Sequence, residues 1–510
     1  MIDALSLPHL DARLRRVAEL RSTAAIAVVI ALLLLAMIPP NGVLNDNEEH
    51  YFAAARQYFD PSAVPEHSAL LGGMPHAFAF YTVAGALLKV TTFETTQILG
   101  RLLAIVLYTI ALTRFFRALS FSALDAGLVL VVFYLSGQYL VGEEWLFRGL
   151  EPKVLAYPSV FWALTEVVRG RNMRAFLWLA VATWFHFLVG ALWAGLLALA
   201  LWIDGRTIRE LSKCVAAFAA AVLPLLGYLL LRDYGGAPLS EQGGLPSVGW
   251  ILTYYRSANH VAPFLSLWSF MAWLPGLLAT VVILACSAMY ARTSSGDTRT
   301  LAILVATTCG YLLLATAAAA VDRGGFLGPF TIFRPSSVAL FLALTLAIRW
   351  LGSTGASGVS AKLAATGIAL AVAVPTLALN GVEPVREQVQ AHARLDSLYQ
   401  YVAASTPQNA RFLIEPKLER SFLSFERRAD RALLVMNKFI PAEPKDVLEW
   451  YRRRLFQEHV FAQGCSSSDA YHVDYLIAAS ATAQALAPAC GPIVFEHADV
   501  AIIRHVAASK

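Results

Sequence analysis

The sequence predicts an α-helical polytopic membrane protein of about eleven spans, followed by a small α/β domain. Three observations carry this. Of 510 residues, 57% are hydrophobic and only 15% charged, well below the ~25% charged residues of ordinary soluble chains. The apolar residues fall in long blocks, as spans of ~20 residues require. Basic residues gather in alternate loops between those blocks, and from about residue 384 the chain turns polar. The formal charge of +5 is modest. Its loop-by-loop distribution reads as membrane orientation, with no sign of nucleic-acid binding.

Residues 1–21 carry Arg13, Arg15, Arg16 and Arg21, and Ser22–Ile38 has no charge. No small-residue cleavage pattern follows, so this is expected to be a retained first span with a cytoplasmic N-terminus. Residues 40–95 are an outer loop, in which Asp46 is expected to cap a helix whose first turn holds Glu48 and Glu49. Pro61 and Pro65 end that helix; His67, a Gly72-Gly73-Met74-Pro75 turn and His76 follow. Ala77–Val90 is apolar but short, and is assigned to a surface-lying or re-entrant helix. Further spans are expected at about 96–116, 122–141, 154–168, 214–231, 267–290, 301–320, 336–348 and 363–379. Two short ones lie within 175–203, turning near Trp184-Phe185-His186. This arrangement puts sixteen Lys and Arg inside, against nine outside before the C-terminal domain, the sign of the positive-inside rule.

The membrane module therefore covers 1–383, and 384–510 is read as an extracytoplasmic α/β domain. Val385–Ala404 is helical in pattern and Thr406-Pro407 breaks it. Strand-like runs follow at Arg411–Ile414, Ala432–Met436, Tyr475–Ala479, Ile493–Glu496 and Ala501–Arg504, with helical segments near 418–428 and 444–456. That alternation argues α/β. There is no glycine-rich phosphate loop, so no cofactor is assigned to this domain. Cys214, Cys286 and Cys309 read as core residues of apolar spans. Cys465 and Cys490 lie in the polar part and can pair if it is extracytoplasmic.

Two polar clusters stand out. Asp46, Glu48, Glu49 and His50 fall within five residues just after the first span, and Tyr51 follows. Carboxylates are expensive in hydrocarbon, so the cluster must sit in water at the membrane surface, on the outer face in this topology. Glu143, Glu144, Arg148, Glu151 and Lys153 put five charges within eleven residues between two spans. Each has a plain reading: helix starts favour acids, and Trp145 and Phe147 suit an interfacial belt. What favours function is the shared face, where His186, Arg256 and Arg334 join them. A carboxylate serves as general base towards a hydroxyl or helps to hold a divalent cation, while arginine and lysine grip phosphate. His186 is read slightly more readily as an interfacial polar tip. Arg101, within an apolar pattern, either snorkels or marks function. Tyr254-Tyr255-Arg256 is assigned to an amphipathic surface helix.

In this order, the features resemble the GT-C superfamily of membrane glycosyltransferases. That group includes protein O-mannosyltransferases, oligosaccharyltransferase catalytic subunits and lipid A aminoarabinose transferases. The resemblance rests on the N-in first span, the long outer loop opening with acids before a tyrosine-bearing helix, the second acidic group and the terminal domain. Residues 142–158 and Thr406-Pro407…Glu449-Trp450-Tyr451 resemble an uncharacterised bacterial branch. The family usually carries Asp-Glu or Asp-Asp before the tyrosine; here Asn47 follows Asp46, and the adjacent pair is Glu48-Glu49.

The resemblance implies inverting transfer of a sugar from a polyprenyl-phosphate donor to a glycan, lipid or protein acceptor. The site would lie on the outer face of the cytoplasmic (inner) membrane. Asp46 or Glu48 would be the base, with Glu49 beside them and Glu143 or Glu144 as the second acidic site. Arg101 and Arg334 would contact the donor phosphate. His50, Tyr51, Arg148, Glu151, Lys153, His186 and Arg256 complete the candidate substrate-binding set, and the loop 232–265 would move over the donor. Metal use, Mg or Mn, is left open, with Asp46 and Glu143 as its carboxylates. Two other readings stand beside this one: a transporter or flippase for a lipid-linked or polar substrate, and a non-catalytic membrane assembly partner.

Overall fold

A computed structural model describes residues 7–63, 65, 68–70, 77–233, 244–353, 395–441, 443–465 and 471–506. His67, the Gly72–His76 stretch, the expected span 363–379 and residues 385–394 lie outside the described residues. The membrane part contains α1 (Leu7–Met37), α2 (Asp46–Phe59), α3 (Phe78–Leu88), α4 (Phe93–Ala118), α5 (Ala123–Leu135) and α6 (Pro152–Val168). It continues through α7 (Asn172–Phe185), α8 (Phe187–Ile203), α9 (Ile208–Asp233), α10 (Leu267–Thr293), α11 (Gly296–Val321) and α12 (Ser336–Ser353). Six of these are long and apolar enough to cross a membrane: Ala18–Met37 of α1, α4, Ile208–Leu230 of α9, α10, α11 and α12. The chain is thus a polytopic helical membrane protein. Its exposed Leu32, Val106, Leu278 and Leu314 need a lipid surround rather than water.

The helices close on an aromatic centre. Phe115 and Phe116 of α4, Phe133 of α5, Phe161 of α6 and Phe341 of α12 pack together, Phe161 and Phe341 at 4.9 Å between centroids. α3 has eleven residues, about 16 Å of rise against a ~30 Å hydrocarbon core. It lies on α2 instead, with Gly85 so close that a Cβ there would sit 2.6 Å from the Ala55 carbonyl. α7 and α8 break at His186, where the expected turn falls.

The expected span 122–141 is corrected: α5 ends at Leu135, and the chain to Glu151 is irregular. Gly137, Gln138, Gly142 and Glu143 all have positive φ, which no helix accepts. Side chains replace the lost helical hydrogen bonds. Gln138 Oε1 accepts from the Leu146 and Phe147 amides at 3.1 and 2.7 Å, and Ser336 Oγ accepts from Leu140 and Val141 at 2.8 and 2.9 Å.

In the C-terminal domain α13 (395–405) precedes β1 (Arg411–Ile414), α14 (Phe425–Ala429) and β2 (Ala432–Leu433). Then come α15 (Pro444–Gln463), β3 (Tyr475–Ala479), α16 (Ser480–Cys490), β4 (Ile493–His497) and β5 (Val500–Arg504). The sheet order is β2-β1-β3-β5-β4, with β1 parallel to β2 and β3, and β5 antiparallel to β3 and β4. The run Ala432–Met436 contributes only two paired residues. Beyond them, Met436 O accepts from Trp450 Nε1 at 2.9 Å, drawing the chain onto α15. Cys465 and Cys490 form a disulfide, Cα–Cα 5.1 Å, which ties the chain just after α15 to the end of α16. Cys214, Cys286 and Cys309 are free, and Cys286 is exposed rather than in the core.

Alkylating the denatured, unreduced protein is expected to label three of the five cysteines, and prior reduction to label all five, as read by intact mass. Five labels without reduction would remove the disulfide.

Candidate functional site

The start of α2 organises the site. Asn45, rather than the expected Asp46, is the cap: its side chain accepts from the Asn47 and Glu48 amides at 2.9 Å each. Glu48 Oε2 accepts from the Asn45 amide at 2.9 Å, completing a capping box. Spacing allows either register, since Asp46 also has a glutamate three residues on. The tertiary partners decide. Glu48 is fully buried and takes Arg101 Nε at 2.8 Å, Arg101 Nη2 at 2.5 Å and the Leu150 amide at 2.7 Å. Arg101 also donates to Pro39 O at 2.6 Å and Val43 O at 3.3 Å. It is 4% exposed, turned inward rather than snorkelling.

Glu49 turns to the C-terminal domain. Arg427 meets it through Nη2 at 2.7 Å and Nε at 3.3 Å, and reaches Glu94 through Nη1 at 2.7 Å. Burial opposes charge on Arg427, but Glu49 and Glu94 raise its proton affinity above the ordinary value. Next to it, Glu426 accepts from Ser68 Oγ at 2.5 Å and from the Ala69 and Leu433 amides at 2.8 Å each. Burial raises this carboxyl in spite of those bonds.

The second acidic loop folds onto the same place. Glu144 pairs with Lys153 at 2.9 Å and with Arg334 Nη1 at 3.7 Å. Burial works against its charge, yet Lys153, Arg334 and His260 hold its carboxyl down to about 2. Glu151 accepts from Trp145 Nε1 at 2.7 Å and Asn47 Nδ2 at 3.0 Å, and lies 3.8 Å from Lys153 Nζ. Lys153 and Arg148 lie over the Trp145 ring at 3.8 and 4.5 Å, a cation–π arrangement. Glu143 is exposed, with Asn259 Nδ2 donating to it at 2.6 Å.

Between the two clusters stand Tyr51 and Asp46. Burial, with the charges of Glu151 and Glu144, raises the Tyr51 phenol well above its ordinary range, against the pull of Arg334 and Arg256. His50 is buried and stacks on Tyr51 at 5.3 Å and on Phe439 at 5.6 Å. Asp46 lies 3.7 Å from Lys438 Nζ, and Lys438 also donates to Asn47 Oδ1. Burial alone would raise the Asp46 carboxyl; Lys438, Arg148 and Arg420 outweigh it and hold it below the ordinary value.

Arg256 ends a π-helical turn, Ile251–Arg256. This segment is docked rather than surface-lying. Ile251 is buried in the C-terminal domain's core, and Tyr255 meets Tyr451 edge-on at 4.9 Å. His186 is buried at the α7–α8 break, where its neighbour Trp184 packs on Phe78 of α3 and donates to Ala221 O of α9.

The structure thus brings Asp46, Tyr51, Glu144, Glu151, Lys153, Arg148, Arg256 and Arg334 to one place. Glu48 with Arg101, and Glu49 with Arg427, flank it in closed pairs. Sequence reasoning missed Lys438, Phe439, Arg420 and Arg427. Lys438 sits alone between an asparagine and a phenylalanine, and nothing local marks it.

Among the described residues no three His, Cys, Asp or Glu side chains come together as a metal site. Asp46 faces Lys438 and Glu143 faces Asn259. That donor set suits neutralisation by protein cations and does not fit divalent coordination.

A domain of unknown function (DUF6798) matches residues 393–455. No curated protein matches the chain. The matched stretch contains Arg420, Arg427, Lys438 and Phe439, which face the acidic helix, and Glu426, which holds Ser68 and Ala69.

Arg101→Met strands Glu48 and is expected to destabilise the protein by about 3–5 kcal/mol, seen as a lowered unfolding temperature; adding Glu48→Gln should restore part of the loss. The folded Glu144 carboxyl lies below its unfolded value of 4.5. Its contribution is therefore full above that pH and lost as pH falls towards about 2. Glu144→Gln should flatten the fall in unfolding temperature across that window.

Proposed function

We propose that this protein is a GT-C-like inverting glycosyltransferase, moving a sugar from a polyprenyl phosphate to an acceptor hydroxyl on the outer face of the cytoplasmic membrane. The observation that carries this reading is the contrast among its five candidate carboxylates. Glu48, Glu49 and Glu144 are buried in ion pairs, and Glu143 stands at the exposed loop edge. Asp46 alone combines a part-exposed side chain, 28% accessible, with a place among cations. Its low proton affinity keeps it ionised. The acceptor hydroxyl becomes acidic as its oxygen bonds to the anomeric carbon, so a weak base suffices to take the proton. The lipid phosphate leaves with the electrons of its bond to that carbon, and arginine and lysine meet the charge.

The membrane arrangement in this reading has about eleven spans and an inner N-terminus. Support comes from the Cys465–Cys490 disulfide, which suits an oxidising compartment. The domain that carries it docks on α2, so the acidic helix would share that side. Arg114, Arg117, Arg169, Arg171 and Arg349 lie at the opposite helix ends.

Asp46→Asn is expected to lower transfer from a panel of polyprenyl-phosphate sugars by at least about 100-fold while donor binding persists. Unchanged transfer in a normally folded Asp46→Asn protein would sink the assignment.

A further inference from the structure

Asp46 is one carboxylate among four cations. Lys438 lies 3.7 Å away, and Arg148, Arg420 and Arg256 act on the same group. Among the described residues, four cations less one carboxylate leaves three positive charges without a counterion. The neighbouring acids are already engaged: Glu151 by Lys153, Trp145 and Asn47, and Glu419 by Arg454. Arg148, Arg256 and Arg420 have no carboxylate within ion-pair distance among the described residues.

Arg256 is the most exacting of these. It is half-buried, its Nε is buried without a hydrogen-bond partner, and Arg454 adds like charge beside it. Burial weakens its hold on the proton. A guanidinium taken out of water with no acceptor is costly unless an anion completes it.

The four cations come from three places: Arg148 from the second acidic loop, Arg256 from the π-helical turn, and Arg420 and Lys438 from the C-terminal domain. Arg427 on Glu49, Glu426 on Ser68 and Ala69, and Ile251 and Tyr255 docked in the C-terminal core bring them together. We propose that this junction is a seat for a phosphate or diphosphate group, held by Arg256 and Lys438 with Arg148 and Arg420 at its rim. Guanidinium supplies paired N–H donors and the ammonium a point charge, the combination that recognises tetrahedral phosphate oxygens. The lipid-linked source of that phosphate rests on the glycosyltransferase reading; the anion seat does not.

The test uses the full-length protein in lipid nanodiscs. Binding of farnesyl phosphate, farnesyl diphosphate, farnesol and inorganic pyrophosphate is measured for wild type, Arg256→Gln, Lys438→Gln, Lys438→Arg and the outer-loop control Arg323→Gln. The expected result is retention of the two lipid phosphates but not farnesol, weakened at least about tenfold in Arg256→Gln and Lys438→Gln. Lys438→Arg, which keeps the charge, should recover binding relative to Lys438→Gln, and Arg323→Gln, away from the junction, should bind as wild type does, which separates lost charge from misfolding. Equal lipid-phosphate binding by wild type and both glutamine variants would overturn the seat and leave the donor reading standing. Pyrophosphate binding lost in the variants, with no lipid phosphate bound, would keep the seat and remove the lipid source. Binding of neither probe would overturn the seat.

Discussion

The buried pair of Glu48 and Arg101 is the constraint on which the rest of the site depends. A carboxylate with no solvent access persists only if its acceptor positions are filled, and here Arg101 and the Asn45 and Leu150 amides fill them. The pair therefore joins the start of α2, the N-terminal part of α4 and the second acidic loop in one step. It also sets the rotation of α2. Successive helix residues differ by roughly 100°, so pointing Glu48 inward sends Glu49 to one flank, where Arg427 waits. It turns Asp46 by roughly 200° away from the pair, towards the half-exposed space under the C-terminal domain. Three acids close together in sequence thereby receive three different environments.

That division of labour makes the C-terminal domain part of the membrane site. Arg427 fastens it to α2 and Glu426 to the chain at Ser68, and Phe439 covers His50. Lys438 reaches Asp46 from a loop that has no other unusual feature. On its other flank Ile251 and Tyr255 of the π-helical turn enter the domain's hydrophobic core, which brings Arg256 to the same junction. The contacts are charged on one side and aromatic on the other. The charged side governs electrostatics at the site, and the aromatic side holds the turn in place. The DUF6798 match spans the residues of the charged side, so the recognisable segment of this chain is the one that completes the acidic helix.

By itself the sequence determined the class of the protein: apolar blocks specify membrane helices because hydrocarbon leaves backbone groups no other partner than their own helix. It determined the short α3, the break at His186, most of the strands, and the two acidic clusters, because each depends on local length, periodicity or composition. Tertiary structure decided everything that depends on which charge meets which. Asn45 and Asp46 are equal caps by spacing, and only Arg101 and Arg427 choose between them. The chain from Ser136 to Val141 looks apolar enough to continue α5. It unwinds because Gln138 turns back to accept from Leu146 and Phe147, and because Ser336, 195 positions on from Val141, accepts from Leu140 and Val141, an acceptor that no local window contains. Lys438, Arg420 and Arg427 are ordinary surface residues until the domain docks some 380 positions from the helix they serve. Long-range electrostatics in a buried junction has no periodicity, so a linear pattern carries no trace of it.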